Sequence, residues 1–165
     1  MKVPQIRDDL RRGDTAGLER RRASIALSLV GMASMGATAL LQTGLVRHLP
    51  DPPLPGFDSD KVNLSDDAFP FGVPDGPIAL AGFALNVPLA ALGPSDRARK
   101  MPVVPLLAFA KSSVDAAISG WLFYKMPTKE KAWCIYCIIA FFVNLGLLAL
   151  AVPEAKQSLA TLRNA

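Results

Sequence analysis

The sequence predicts an all-α integral membrane protein: a bundle of four transmembrane helices with a long extracytoplasmic cap loop between the first two. Three observations predict it. Hydrophobic residues make up 51% of the 165-residue chain, and mean hydropathy is +0.30. The apolar residues gather in four blocks, 23–46, 75–92, 101–124 and 132–152, each near the roughly 20 residues a helix needs to cross a hydrocarbon core of about 30 Å. Inside a bilayer each backbone amide must be bonded within its own segment, and the alternation of a membrane barrel is missing, so the blocks are helices.

The chain reads as one membrane domain, 1–165, with a basic tail (1–22), four spans, a cap loop (47–74) and a second tail (153–165). Arg20-Arg21-Arg22 before the first block resembles the charged start of a signal peptide. However, the run of 24 uncharged residues exceeds an apolar signal core of about 7–15, and no small-x-small cleavage site follows. The block is therefore an uncleaved first span. The tail before it is read as a solvated topogenic segment drawn to anionic lipid by about 1 kcal/mol per basic residue; a short amphipathic helix on the membrane surface is the other reading.

Basic residues in short flanks are retained in the cytoplasm. Twelve Lys and Arg flank one side, in 1–22, 97–100 and 153–165, against five on the other, Arg47, Lys61, Lys125, Lys129 and Lys131. Both termini are thus expected on the cytoplasmic side of the membrane. The net charge of +4 reflects this basic face and requires no nucleic-acid partner. The outward loop carries Pro50, Pro52, Pro53, Pro55, Pro70 and Pro74, which oppose a long helix, and Phe57, Val62, Leu64, Phe69, Phe71 and Val73, more apolar residues than a free linker holds. It is read as a cap over the outer mouth of the bundle, against the blander reading of a tether.

The only two cysteines, Cys134 and Cys137, sit in Trp133-Cys134-Ile135-Tyr136-Cys137 at the start of the fourth span. Residues i and i+3 of a helix share a face about 5–6 Å apart at Cβ, so a disulfide lies within modest adjustment. On the extracytoplasmic side a disulfide persists, and the helix N-terminus, with Lys129 and Lys131 nearby, favours a thiolate at Cys134. The competing reading is two small buried hydrophobes. A zinc site is disfavoured, because His48 is the only histidine and a closed site needs four ligands; His48 itself reads as a boundary surface residue.

Lys111 and Asp115, spaced i,i+4 within the third block, are expected to pair towards the bundle, since an unpaired charge there costs about 2.5–3.5 kcal/mol. They are read as a helix clamp, or else as an interior source of protons. Gly31, Ser34, Met35 and Thr38 in the first span, and Ser112, Ser113, Ser119 and Gly120 in the third, suit close helix packing.

Phe71-Gly72-Val73-Pro74 entering a span with Ala81-Gly82-Phe83, together with the Cys134–Cys137 motif opening the last span, resembles the vitamin K epoxide reductase family over most of the chain. The resemblance implies a quinone-coupled thiol–disulfide oxidoreductase that takes electrons from a periplasmic or extracellular thiol protein and passes them to ubiquinone or menaquinone. Cys137 would face the quinone and Cys134 would resolve. Ser65 occupies the position of a hydroxyl that helps bind a quinone oxygen, Phe71 belongs to the segment beside it, and Phe141 stands where an aromatic residue lines the pocket. One departure matters. Family members typically carry a second cysteine pair in the outer loop, whereas here Asp51 and Ser59 fall near those positions, so an internal thiol relay is lost. Either a partner thiol reaches Cys134 directly, or the chain is a non-catalytic or quinone-binding subunit of a larger membrane complex.

Overall fold

The computed structural model describes residues 3–164 and divides them among seven α-helices. They are α1 (Val3–Arg12), α2 (Ala16–Gln42), α3 (Ser59–Asn63), α4 (Asp75–Ala91), α5 (Arg97–Lys100), α6 (Val103–Lys125) and α7 (Ile135–Arg163). No β-strand occurs among the described residues; one isolated parallel bridge joins Phe57 to Trp133. Among the described residues three helices are long and apolar enough to cross a membrane: α2, α6 with the π-helical turn Met126–Glu130 that continues it, and α7. The fourth apolar helix, α4, has 17 residues and a length of about 26 Å.

Helix ends differ from the predicted blocks for identifiable reasons. The first block is expected to end at Val46, yet α2 runs from a Thr15 N-cap, whose hydroxyl accepts the Leu18 N–H, to Gln42, followed by a left-handed Gly44. The last block is expected to end at Val152, yet α7 continues to Arg163 through Pro153. A single proline removes one backbone bond, and buried Ala155 and Ser158 hold the extension in place. The tail expected to be solvated contains α1, tied to α2 by Arg22, which donates to the carbonyls of Leu10 (2.9 Å) and Gly13 (2.7 Å).

Around the bundle the order is α4–α2–α7–α6, and α4 meets α6 only sparsely. Met35, Phe83, Ala140, Val143 and Leu147 form the central core. Gly31 lets α2 and α4 approach, since a Cβ there would lie 2.5 Å from the Phe83 ring. Outward faces carry exposed Leu29, Ile78, Leu107, Val114, Ile118 and Phe142, an apolar exterior that matches lipid tails and would be unusual in water. Lys111 and Asp115 pair at 2.5 Å, as their spacing predicts.

Candidate redox site

The position of the cysteines begins with the turn before α7. After the π turn, Lys131 takes a left-handed φ of 52°, and the chain then runs extended through Trp133. There it meets the α2–α4 connection: the Trp133 N–H donates to the Gly56 carbonyl at 2.8 Å, and the Asp58 N–H donates to the Trp133 carbonyl at 2.9 Å. This extension delays the helix. Cys134, expected inside the first turn, is instead its N-cap residue, with φ −116° and ψ 117°. Its sulfur occupies the place usually held by a capping oxygen and accepts the Cys137 N–H at 3.1 Å.

A second donor comes from Asn63, the last residue of α3. Its side-chain amide donates to the Cys134 sulfur at 3.1 Å and to the Ser59 carbonyl at 2.7 Å, and its Oδ1 accepts from the Cys137 thiol at 3.5 Å. One amide therefore touches both sulfurs. The thiols are free; Cys134 is 0% exposed, under Val62 and Met126, and Cys137 is half-buried. Asn63 was not legible in sequence, because its approach depends on the Trp133 bridge rather than on any local pattern.

Asp51 and Ser59, the positions where the resemblance would place cysteines, lie together. The Ser59 hydroxyl donates to Asp51 Oδ1 at 2.5 Å, and its N–H donates to Oδ2 at 2.7 Å. A carboxylate–hydroxyl clasp thus joins two turns of the connection without sulfur.

The remaining predicted residues are dispersed. Phe141, one turn beyond Cys137, stacks on Phe123 at 4.5 Å, and Phe123 in turn meets Trp133 at 5.5 Å. The Ser65 hydroxyl donates to the Val62 carbonyl at 2.8 Å, so its proton is directed at the backbone. Phe71 is fully exposed and has a φ of 57°, a left-handed conformation costly for a bulky side chain. Lys129, expected to act on Cys134, pairs with Asp67 at 2.8 Å, which also takes Lys125 at 2.9 Å. These ammoniums, Lys129 foremost, hold the Asp67 carboxyl below the ordinary carboxylate range. Exposed His48 pairs with Asp60 at 2.8 Å.

Gln42, at the end of α2, brackets the site. Its amide donates to the Asn63 carbonyl (3.0 Å) and Asp75 Oδ1 (2.7 Å), and its Oε1 accepts the Gly76 N–H (2.8 Å). A Cβ on Gly76 would stand 2.6 Å from that oxygen and 2.9 Å from the Ala39 nitrogen, so only glycine fits. A glutamine closing an apolar run is a sequence signal that could have marked it.

A dithiol whose first sulfur caps the helix that carries the second, on an all-helical apolar frame, matches one family along most of the chain: the vitamin K epoxide reductase family model covers residues 22–152. The chain belongs to this family. The vitamin K epoxide reductase family comprises membrane thiol–disulfide oxidoreductases linked to quinones, and the chain takes that class from it. No curated protein matches the chain.

Proposed function

We propose that this vitamin K epoxide reductase family member oxidises a partner dithiol at Cys134 and Cys137 and passes the electrons to ubiquinone or menaquinone. The observation that carries the reading is the Cys134 sulfur at the N-cap of α7, accepting N–H donors from Cys137 and Asn63. Two such donors and a helix N-terminus suit a sulfur that must carry negative charge during exchange. Oxidation joins Cys134 and Cys137 in a disulfide, releasing two electrons and two protons. A partner thiolate then attacks Cys134, and Cys137 leaves as thiolate. The partner's second thiolate cleaves the mixed disulfide, so the partner is oxidised and the pair is reduced.

The quinone supplies the two-electron acceptor when bound. Phe141, with Phe123 and Trp133, offers an aromatic wall one turn from Cys137, which fits a flat apolar ring. Ser65 would donate to a ring oxygen after turning from the Val62 carbonyl, and Phe71, strained and exposed, would close over the ring from the connection. Because Cys134 is fully buried, exchange requires α3 to lift from the Trp133 bridge, and the Asp51–Ser59 clasp keeps α3 folded as it does so.

In this reading α2, α4, α6 and α7 are the four spans and 43–74 caps the outer face. Both termini lie in the cytoplasm of a bacterial inner membrane. The rival reading, a non-catalytic subunit of a larger complex, is not favoured, since packing alone gives no reason for one amide to address both sulfurs.

The test is maleimide mass-shift labelling of Cys134 and Cys137 in native membranes, with and without reductant and quinone. A disulfide that added thiol reduces and quinone restores, and that Cys137→Ala abolishes, is expected. Two permanently free and unreactive thiols would overturn the proposal.

A further inference from the structure

The end of the bundle remote from the dithiol contains a second polar site. Glu154 lies twenty residues beyond Cys134 on α7, about 30 Å along the helix axis. Beside it a cavity of about 40 Å³ lies among α2, α4, α6 and α7, where α4 and α6 meet only sparsely, and is lined by Arg20, Arg21, Asn86, Arg97, Ser112 and Glu154.

Most of the polar groups here are already matched. Arg97, 2% exposed, grips Glu154 through two bonds of 2.7 Å and donates to the carbonyls of Leu89 and Leu92. Arg21, 3% exposed, donates to the carbonyls of Ala90, Ala91, Leu92, Gly93 and Pro94. Two groups remain. Arg20 Nε and Asn86 Nδ2 are buried and have no hydrogen-bond partner among the described residues, and Asn86 is only 7% exposed. The unmatched groups on the cavity wall are thus donors, and three guanidinium groups on that wall stand against Glu154, whose two oxygens are both taken, and a more distant Asp9 that acts on Arg21 from outside the lining. Water would satisfy the donors but not the excess charge, whereas an anion does both.

We propose that this cavity binds a phosphate group, taken through the α4–α6 seam, with Arg20 and Asn86 as its direct ligands and Arg21 as a fixed positive charge behind them. A guanidinium beside an amide donor suits the several acceptor oxygens of a phosphate. The position, one bilayer thickness from the dithiol on a seam facing lipid, suits the headgroup of an anionic phospholipid; free phosphate carries the same chemistry. The proposal stands apart from the redox reading and survives its failure.

The test is thermal unfolding of the delipidated full chain in neutral detergent, with added phosphatidylglycerol, phosphatidylcholine or inorganic phosphate at constant ionic strength. Phosphatidylglycerol at a hundredfold excess over its Kd is expected to raise Tm by about 5 °C or more, with phosphatidylcholine giving little. Arg20→Gln and Asn86→Leu should each remove most of the rise, and Arg163→Gln should keep it. A rise with inorganic phosphate that phosphatidylglycerol does not exceed supports the site with free phosphate as its source. Equal effects of both lipids with none from phosphate, or an undiminished rise in Arg20→Gln and Asn86→Leu, overturns the proposal.

Discussion

The two ends of the bundle are held together by opposite means. At the dithiol end the sulfurs are held by amide bonds from a few side chains, Asn63 on both sulfurs and Gln42 between α2, α3 and α4, with two backbone bonds at Trp133, while the ion pairs there, Asp67 with Lys125 and Lys129, touch neither sulfur. At the other end Arg21 and Arg97 bury guanidinium groups among the carbonyls closing α4, and Glu154 answers one of them. Neutral amide bonds each contribute about 1 kcal/mol and can be remade, so they suit an end that opens for exchange under the proposed function. A buried ion pair costs several kcal/mol to break from one side, so it suits an end that stays shut.

The largest expected effect tests the shut end. Arg97→Met leaves Glu154 half-buried and unpaired, and should lower unfolding stability by about 3 kcal/mol, read by reversible denaturation in mixed micelles. Adding Glu154→Gln should recover part of the loss. If Arg97→Met costs under about 1 kcal/mol, the contrast between the ends fails.

Asn63→Leu tests the neutral end. Removing one buried amide strands the Ser59 carbonyl and the Cys137 thiol, so a loss of about 1–3 kcal/mol is expected. Thiol exchange should slow roughly tenfold, which corresponds to about 1.4 kcal/mol at the Cys134 sulfur. Stopped-flow exchange with a small disulfide gives the rate, and an unchanged rate would remove Asn63 from the site.

A smaller effect is expected from acid. Because the ammoniums of Lys129 and Lys125 lower the Asp67 carboxyl from 3.8, its contribution is present in full above that pH and is lost as pH falls through the lower folded value. Hydrogen-exchange protection in 64–73, taken relative to the intrinsic rate at each pH, should therefore be flat between pH 7 and pH 5 and fall only below about pH 4. Loosening already near pH 6 would point to another group. The smallest effect belongs to Phe71. Phe71→Gly relieves its left-handed backbone and should raise stability by about 1 kcal/mol, while weakening quinone affinity; unaltered quinone affinity in a titration would take Phe71 out of the pocket.

Sequence patterns located what depends on one segment at a time. Apolar runs mark α2, α4, α6 and α7, and the Lys111–Asp115 pair follows from helical spacing. The cysteine motif marks the start of α7, although the block is expected to begin at Ala132 and the helix begins at Ile135. The misreadings have tertiary causes. Cys134 becomes a cap because Trp133 is drawn to Gly56 and Asp58, 75 or more residues away in sequence. Helix α7 outlasts Pro153 because Glu154 is held by Arg97, 57 residues away. Lys129 turns from the cysteine because Asp67 takes it. Nothing local in Asn63 distinguishes it from any polar residue in a loop.

The arginines at the foot of α4 also bear on membrane thickness. A helix of 17 residues falls about one turn short of a hydrocarbon layer of about 30 Å, and such a shortfall ordinarily forces the bilayer to thin around it. Here the carbonyls of Leu89 through Pro94 find their hydrogen bonds in Arg21 and Arg97 instead of in water. In the proposed four-span arrangement, two side chains complete the missing turn, so α4 would stop below the headgroups while the lipid around it keeps its natural depth.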